Sequence, residues 1–480
     1  MSSSPAPAAA PRVPLTTIFA FGSIGLPLAG VAVIYGVYLP RYYVGLGLSF
    51  IAVGAAISAV RFIDLWFDPL IALAMDRTKT VIGRYRPWLL LAAPFAILGI
   101  YRMLMPPKHV DAPYMILWLV VTFVGLSMLN LGLAAWSAVL AKDYHERSRL
   151  YGWTQALAVL GSIAILLLPL VTHGKVVPGK AASMPTIATI LLIALPLTIA
   201  ICATFTPERL AAAPPRPRFA VGDYLGAIAR PSMLRVIVAD LMLTLGPGTT
   251  GPLYVFFFHD AKGFDIAAVG LLLIFYIGAG IVGAPFWARV AKRLGKHRTV
   301  QIACVCYAIS QTTLMALPRV WPHYTLIDAI PTVVGMFTVG FTASAFLLLI
   351  RAMVADIVDE VKLEKKQDLT SLLFSMVTTT TKIGGTITVL IVFPILQLVG
   401  YNGKEGAINT PHAIFGLEMC YLFAPIILVF GGGAALIGYK LDSKRHDEIR
   451  AALEQEAESA HLAAAEEALV GPAAGAAPAE

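Results

Sequence analysis

Charge is what this chain has least of. Aspartate, glutamate, lysine and arginine make up 13% of its 480 residues, against 58% hydrophobic residues and a mean hydropathy of +0.77. A soluble domain carries about 25% charged residues, so the chain cannot cover itself for water and belongs in a bilayer. Cysteine is scarce as well. Cys202, Cys304, Cys306 and Cys420 are scattered through apolar segments with no CxxC spacing, which excludes a disulfide framework and a zinc site. Catalytic signatures are also missing. Each Gly-Lys pair, at Gly174, Gly179, Gly295 and Gly403, lacks the Ser or Thr of a phosphate-binding loop; HExxH and GxSxG are absent, and the nine histidines are dispersed. The sequence therefore predicts no ATP-driven work, no enzyme and no cofactor. The formal charge of +8 would suggest nucleic acid in a soluble protein, but in a membrane protein basic residues report topology. A nucleic-acid partner is set aside on that ground.

What is present is a series of apolar windows. Segments of about 20 apolar residues, enough to cross a ~30 Å hydrocarbon core, recur twelve times, at 15–38, 43–73, 87–105, 113–139, 150–172, 183–205, 233–258, 265–289, 298–318, 325–352, 370–399 and 411–439. Most of the 36 lysines and arginines fall in the N-terminal tail, the C-terminal tail and alternate loops starting with Asp76 to Arg86. By the positive-inside rule both termini are cytoplasmic. A linker rich in proline and arginine, "TPERLAAAPPRPRFAVGDYLGAIARPSMLR", divides the windows into six and six. A weak echo links "DPLIALAMDRTKTVIGRYRPW" after the second window with "GAPFWARVAKRLGKHRTV" after the eighth, as a parallel repeat of two six-helix halves requires. The expectation is an all-α membrane protein of twelve transmembrane helices in two pseudo-symmetric bundles. Its parts are a disordered tail (1–14), an N-terminal bundle (15–205), a central cytoplasmic loop (206–232), a C-terminal bundle (233–440) and a tail (441–480) that is helical and then disordered.

Ionisable residues inside the windows stand out against this background. Arg61, Asp64 and Asp68 are spaced three and four apart, so on a helix they share one face, and a charged face costs several kcal/mol against lipid unless it meets water, an ion or an opposite charge. An internal Arg61 to Asp64 pair would leave Asp68 in need of a cation, a proton or a coupling ion. Lys382 lies mid-window in "SMVTTTTKIGGTITV", too far from either end to snorkel comfortably. It is expected to face a central cavity against a carboxylate of the other half. Asp76, Arg77, Arg84 and Arg86, with Asp356 and Asp359 in "VADIVDEVKLEKKQD", read as a cytoplasmic gate of salt bridges. Tyr35, Asn130, Trp136, Gln155, Thr378 and Thr381 are candidates to line a substrate cavity, although a buried aromatic such as Trp136 more often packs helices.

At this point a resemblance becomes specific. "RFIDLWFDPLIALAMDRTKTVIGRYRPW" resembles the hallmark of the glycoside, pentoside and hexuronide cation symporters, the melibiose permease family of the major facilitator superfamily, and "VADIVDEVKLEKKQDLTSLLFSMVTTTTKIGG" is similar to that family's second hallmark. The resemblance, spanning about residues 15–440, implies alternating access driven by H⁺ or Na⁺, with Asp64 and Asp68 holding the coupling cation and Lys382 beside them. It also implies a small-molecule solute, of sugar or glycoside type, moved across the inner or plasma membrane by a monomer. The family's acidic residues of the first and fourth helices fall near Pro27 and Gly132, and its fifth-helix arginine near Gln155. A melibiose-type sugar site and one sodium ligand are then missing, which favours a proton. Two rivals remain. One keeps the fold and moves a lysolipid or another more apolar solute; the other is a membrane sensor or scaffold whose output is the Ala-rich tail.

Overall fold

The computed structural model describes residues 13–78, 80–141, 144–171, 184–208, 222, 226, 229–318, 326–366, 369–404, 406–441 and 443–470. Among the described residues, twelve helices are long and apolar enough to cross a membrane. They are α1 (Leu15–Gly45), α2 (Phe50–Arg77), α3 (Arg86–Leu104), α4 (Ala112–Leu140), α5 (Tyr144–Val171), α6 (Met184–Phe205), α7 (Pro231–Ala261), α8 (Ile266–Leu294), α9 (Lys296–Ala316), α10 (Leu326–Lys365), α11 (Thr370–Leu398) and α12 (Pro411–Ala435), followed by a tail helix, α13 (Ser443–Val470). Large apolar side chains stay uncovered around the outside, among them Leu197, Ile281, Ile309, Leu347 and Ile427, a surface that lipid and not water accommodates.

Helix starts follow local chemistry. The side chains of Ser49, Asp111, Asp265 and Thr410 accept hydrogen bonds from the backbone N–H three residues on, satisfying donors that the first turn of a helix leaves open. The boundaries differ most from the hydropathy windows at two places. The first helix runs on to Gly45 and the second begins at Phe50; because the chain is apolar across the junction, hydropathy cannot place the break, which is made by Gly47 at φ +108° and the Ser49 cap. α10 continues past the window's end at residue 352 to Lys365, since charged residues end a hydrophobic run without ending a helix.

Packing repeats between the halves. In the first half α1 packs on α5 and α6, α2 on α4, and α3 on α4 and α6; in the second α7 packs on α11 and α12, α8 on α10, and α9 on α10 and α12. Adding six to each helix number converts one set into the other, the signature of a parallel repeat. Close approach depends on small residues: a Cβ on Gly125 of α4 would lie 2.5 Å from the Ala96 backbone nitrogen of α3. The halves meet through α2 with α11, α5 with α8, and α1 with α7. Among the described residues, the hydrogen bonds and ion pairs joining the halves run from Lys382 toward the end opposite the Asp76–Arg86 loop. These bonds hold that opposite end closed; toward the basic-loop end, the open end, none of them is found among the described residues.

Candidate functional site

The site is built where α2 of one half meets α11 of the other. Arg61, Asp64 and Asp68 occupy one face of α2, and Lys382 comes from the middle of α11. The Lys382 ammonium donates to Asp68 Oδ2 and stands 3.7 Å from Asp64 Oδ2. Ser127 of α4 donates its hydroxyl to Asp64 Oδ1. Arg61 does not pair with Asp64 but donates from Nη1 to the Gly385 carbonyl at 3.2 Å, one turn beyond Lys382. Ser58 similarly donates to the Thr386 carbonyl at 2.8 Å. Two buried polar atoms here have no hydrogen-bond partner among the described residues, Asp68 Oδ1 and Arg61 Nε. The carboxylate side chains are 15–16% exposed and that of Lys382 is 40% exposed, so the cluster is reachable from the open side while its carboxylates stay sheltered.

Chemically this is a hard-oxygen site with one ammonium in it. Two carboxylates face one lysine, so a bound cation competes with Lys382 for the same oxygens. Ser127 was not visible as a ligand in the sequence, since a lone serine in an apolar window carries no signal. Gly132, the position aligned with the family's fourth-helix acid, lies elsewhere: a Cβ there would meet Leu89 at 2.8 Å and Met75 at 3.7 Å, within the first half's own packing. The fourth helix supplies its oxygen from Ser127 instead.

A cavity of about 290 Å³ lies between the halves on the closed side of this cluster. Its lining includes Tyr35 of α1, Arg61 of α2, Thr250 and Tyr254 of α7, Tyr276 of α8, Thr388 of α11 and Tyr421 of α12. Four tyrosines with a few hydroxyls and one guanidinium make an apolar chamber with sparse polar handles, as small-molecule sites are. The α7 run "LGPGTTGPLY" held the sequence signal for it, because Gly/Pro-interrupted segments mark transporter binding sites.

The candidates from the sequence part company here. Tyr35 lines the cavity and donates weakly to Thr122 at 3.4 Å, whereas Asn130, which donates to its own helix at Leu126, and Gln155 are exposed and not part of that lining. Trp136 is a correction. It is completely buried between Phe21 and Tyr85, so it packs helices and is not part of this cavity's lining. Thr378 and Thr381 lie beside Lys382 but outside the chamber, Thr378 accepting from Arg351 at 3.2 Å and Thr381 standing 3.1 Å from Asp240 Oδ2. Asp240, a carboxylate within α7 that is 2% exposed, was not singled out from the sequence.

The gate candidates each close on their own half. Glu208, just after α6, accepts from the backbone N–H of Arg84, Tyr85 and Arg86, a carboxylate set on the N-terminus of α3. Gly83, at φ +122°, lets it in: a Cβ there would lie 2.1 Å from Glu208 Oε2. Arg86 donates to the Thr206 carbonyl at 2.8 Å, and Arg84 to that of Met75 at 3.1 Å. Arg77 is exposed at the end of α2, and the side chain of Asp76 lies outside those described. On the second half Asp356 is held by Lys296 at 2.5 Å and by His446 of α13 at 3.1 Å, and Asp359 by the same histidine at 3.3 Å. The structure therefore does not bring Arg84 and Arg86 to Asp356 and Asp359.

A family model described as MFS/sugar transport protein matches residues 20–443. The chain is 27% identical to an isoprimeverose transporter of Lactiplantibacillus pentosus, with 87% of each chain covered. It is 26% identical to YagG of Escherichia coli (strain K12), provisionally named a glycoside/cation symporter, over 84% of this chain and 86% of that one. It is 21% identical, over 92% and 89%, to the sodium-dependent lysophosphatidylcholine symporter 1-B of Danio rerio. Among solved structures, the nucleoside transporter NupG superimposes with a TM-score of 0.65 at 13% identity, covering 89% of this chain and 99% of that one. With its twelve apolar helices in two repeated halves, the chain belongs to the MFS/sugar transport protein family and is an integral membrane transporter of the major facilitator superfamily, not an enzyme.

Proposed function

We propose that this protein is a cation-coupled symporter that moves a sugar or glycoside by alternating access, with Asp68 and Asp64 as the seat of the coupling ion. The observation that carries the reading is the contact of Lys382 with Asp68 across the two halves, beside a second Asp68 oxygen that is buried with no partner among the described residues. A cation arriving at that oxygen weakens the hold of Lys382 on α2, so ion binding and the relation of the halves are one event. A proton fits best. Lys382 already neutralises one carboxylate, and beyond the carboxylates Ser127 offers a single hydroxyl, a thin oxygen shell for a dehydrated Na⁺. Arg61 balances the remaining charge.

The solute belongs in the tyrosine-lined cavity, where rings and hydroxyls suit the apolar faces and rims of a sugar; Thr378 and Thr381 border its route from the open end. Both termini are proposed to be cytoplasmic, so the open end faces the cytoplasm. The bundles span residues 15–205 and 233–440, with a linker at 206–232 and tails at 1–14 and 441–480. In the opposite state Asp76, Arg77, Arg84 and Arg86 meet Asp356 and Asp359 to close the cytoplasmic end. The transporter acts as a monomer in the cell membrane.

The test is uptake into proteoliposomes under an imposed proton or sodium gradient, with glycosides and lysolipids as separate arms. Proton-driven accumulation of a glycoside is expected. Accumulation of a lysolipid alone would favour the more apolar cargo that the Danio rerio relative's name describes.

A further inference from the structure

The closed end of the molecule has a construction of its own. Arg41, near the end of α1, forks onto Asp260 of α7, with Nη1 2.8 Å from Oδ2 and Nη2 2.9 Å from Oδ1. This is a two-pronged, charge-assisted pair, and its side chains are only 15% and 19% exposed. Tyr401, in the loop after α11, donates its hydroxyl to the same Asp260 oxygen, and His259 Nδ1 lies 2.6 Å from the other. The guanidinium also sits over the ring of Phe256 at 5.2 Å. Beneath it Phe50 of α2 packs against Phe256, Phe393 and Tyr401 at 5.3–5.8 Å. Gly403 fills the last gap, where a Cβ would lie 2.6 Å from Phe50 and 2.8 Å from Phe256. The result is an aromatic plug, contributed by both halves and bolted by one ion pair.

The two helices that carry the bolt share a second feature. α1 widens into a π-turn at Ile34–Tyr38, just before Arg41, and α7 does so at Phe256–Ala261, the turn that bears Asp260. These are repeat-related helices, and π-turns are weak points of a helix that frequently serve function. The first turn contributes Tyr35, Gly36 and Val37 to the cavity lining, and Tyr254 leads into the second.

We propose that the Arg41 to Asp260 pair is the bolt of the gate at this end, and that α1 and α7 bend at their π-turns to open it. Cargo in the cavity touches the first hinge and the stretch of α7 that leads into the second, so the step that admits solute from this side acts on the segments that hold the bolt. The proposal concerns the conformational step and stands whatever the cargo or ion.

Gly36 offers a reporter position, since a Cβ there meets nothing within 4 Å. In full-length protein with the four native cysteines replaced, Gly36→Cys is labelled with a membrane-impermeant maleimide applied separately to each face. Labelling from the closed face should be slow. Arg41→Gln and Asp260→Asn should each raise it by about tenfold or more, the scale expected when one partner of a sheltered ion pair is removed, and should slow labelling from the other face. Tyr401→Phe, the mildest variant because the ion pair stays, should raise it by about two- to tenfold, as for one lost hydrogen bond. The exchange Arg41→Asp with Asp260→Arg should bring the rate back toward that of the parent. Unchanged labelling in all three single variants, an exchange no slower than its singles, or a rise from both faces together would overturn the proposal.

Discussion

Lys382 of α11 donates to Asp68 of α2 across the junction of the two halves, joining residues 314 positions apart in the chain. The same ammonium lies 3.7 Å from Asp64. One cation therefore serves two carboxylates, and its removal leaves both without compensation in a sheltered place. Lys382→Ala should lower the initial rate of coupled uptake by about tenfold or more, and the double variant with Asp68→Asn should lose no more than the worse single, because the pair acts as a unit. Uptake rates for the four proteins, normalised to the amount in the membrane, check this.

Ser127 should tune the ion and not the cargo. Its hydroxyl is the donor that α4 gives to Asp64, so Ser127→Ala should weaken apparent ion affinity by about tenfold or more, the worth of one hydrogen bond to a charged group. The KM for solute at saturating ion should hold. A titration of uptake against ion concentration at fixed solute separates the two effects.

How far the sequence foretold this site depends on how loudly each residue speaks in an apolar chain. Asp64, Asp68 and Lys382 are audible because a charge in a hydrophobic window is costly, and the structure brings the three together. The twelve helices are legible for the same reason, since each is a run of hydropathy. Arg61 was audible too, but its partner was not: the Gly385 carbonyl is a backbone group that no residue pattern announces. Ser127 and the cavity tyrosines are ordinary residues of membrane helices, and only packing shows which face they occupy. Trp136 illustrates the reverse, an aromatic that invited a role in binding and is wholly buried in helix packing. Glu208 sat unnoticed in a charged linker, although it holds the start of α3.

Gly83 should tolerate no side chain. Its φ of +122° and the Glu208 carboxylate against it mean that Gly83→Ala costs about 1–2 kcal/mol in backbone strain and expels Glu208 as well. Thermal unfolding of the purified protein should fall by several degrees, with a smaller drop for Glu208→Gln, which keeps the shape and loses the charge. Scanning fluorimetry in detergent makes the comparison.

The tail helix is predicted to stabilise without transporting. It docks on α10 through His446 at Asp356 and Asp359, and it buries Ile449, which is 2% exposed. Truncation after Lys444 removes these contacts, including about 1.5–3 kcal/mol for one buried isoleucine, and should lower the unfolding temperature while uptake stays within about twofold. A sensor that signals through its tail would lose its function on truncation, and uptake by the truncated protein separates the cases.

The most direct measurement is glycoside accumulation in proteoliposomes under an imposed proton gradient, comparing the parent with Asp68→Asn. The account predicts that the parent concentrates the solute above equilibrium, whereas Asp68→Asn only equilibrates it, because the buried Asp68 oxygen that has no partner among the described residues is the proposed seat of the coupling ion. Accumulation that survives Asp68→Asn at the parent's level would contradict it.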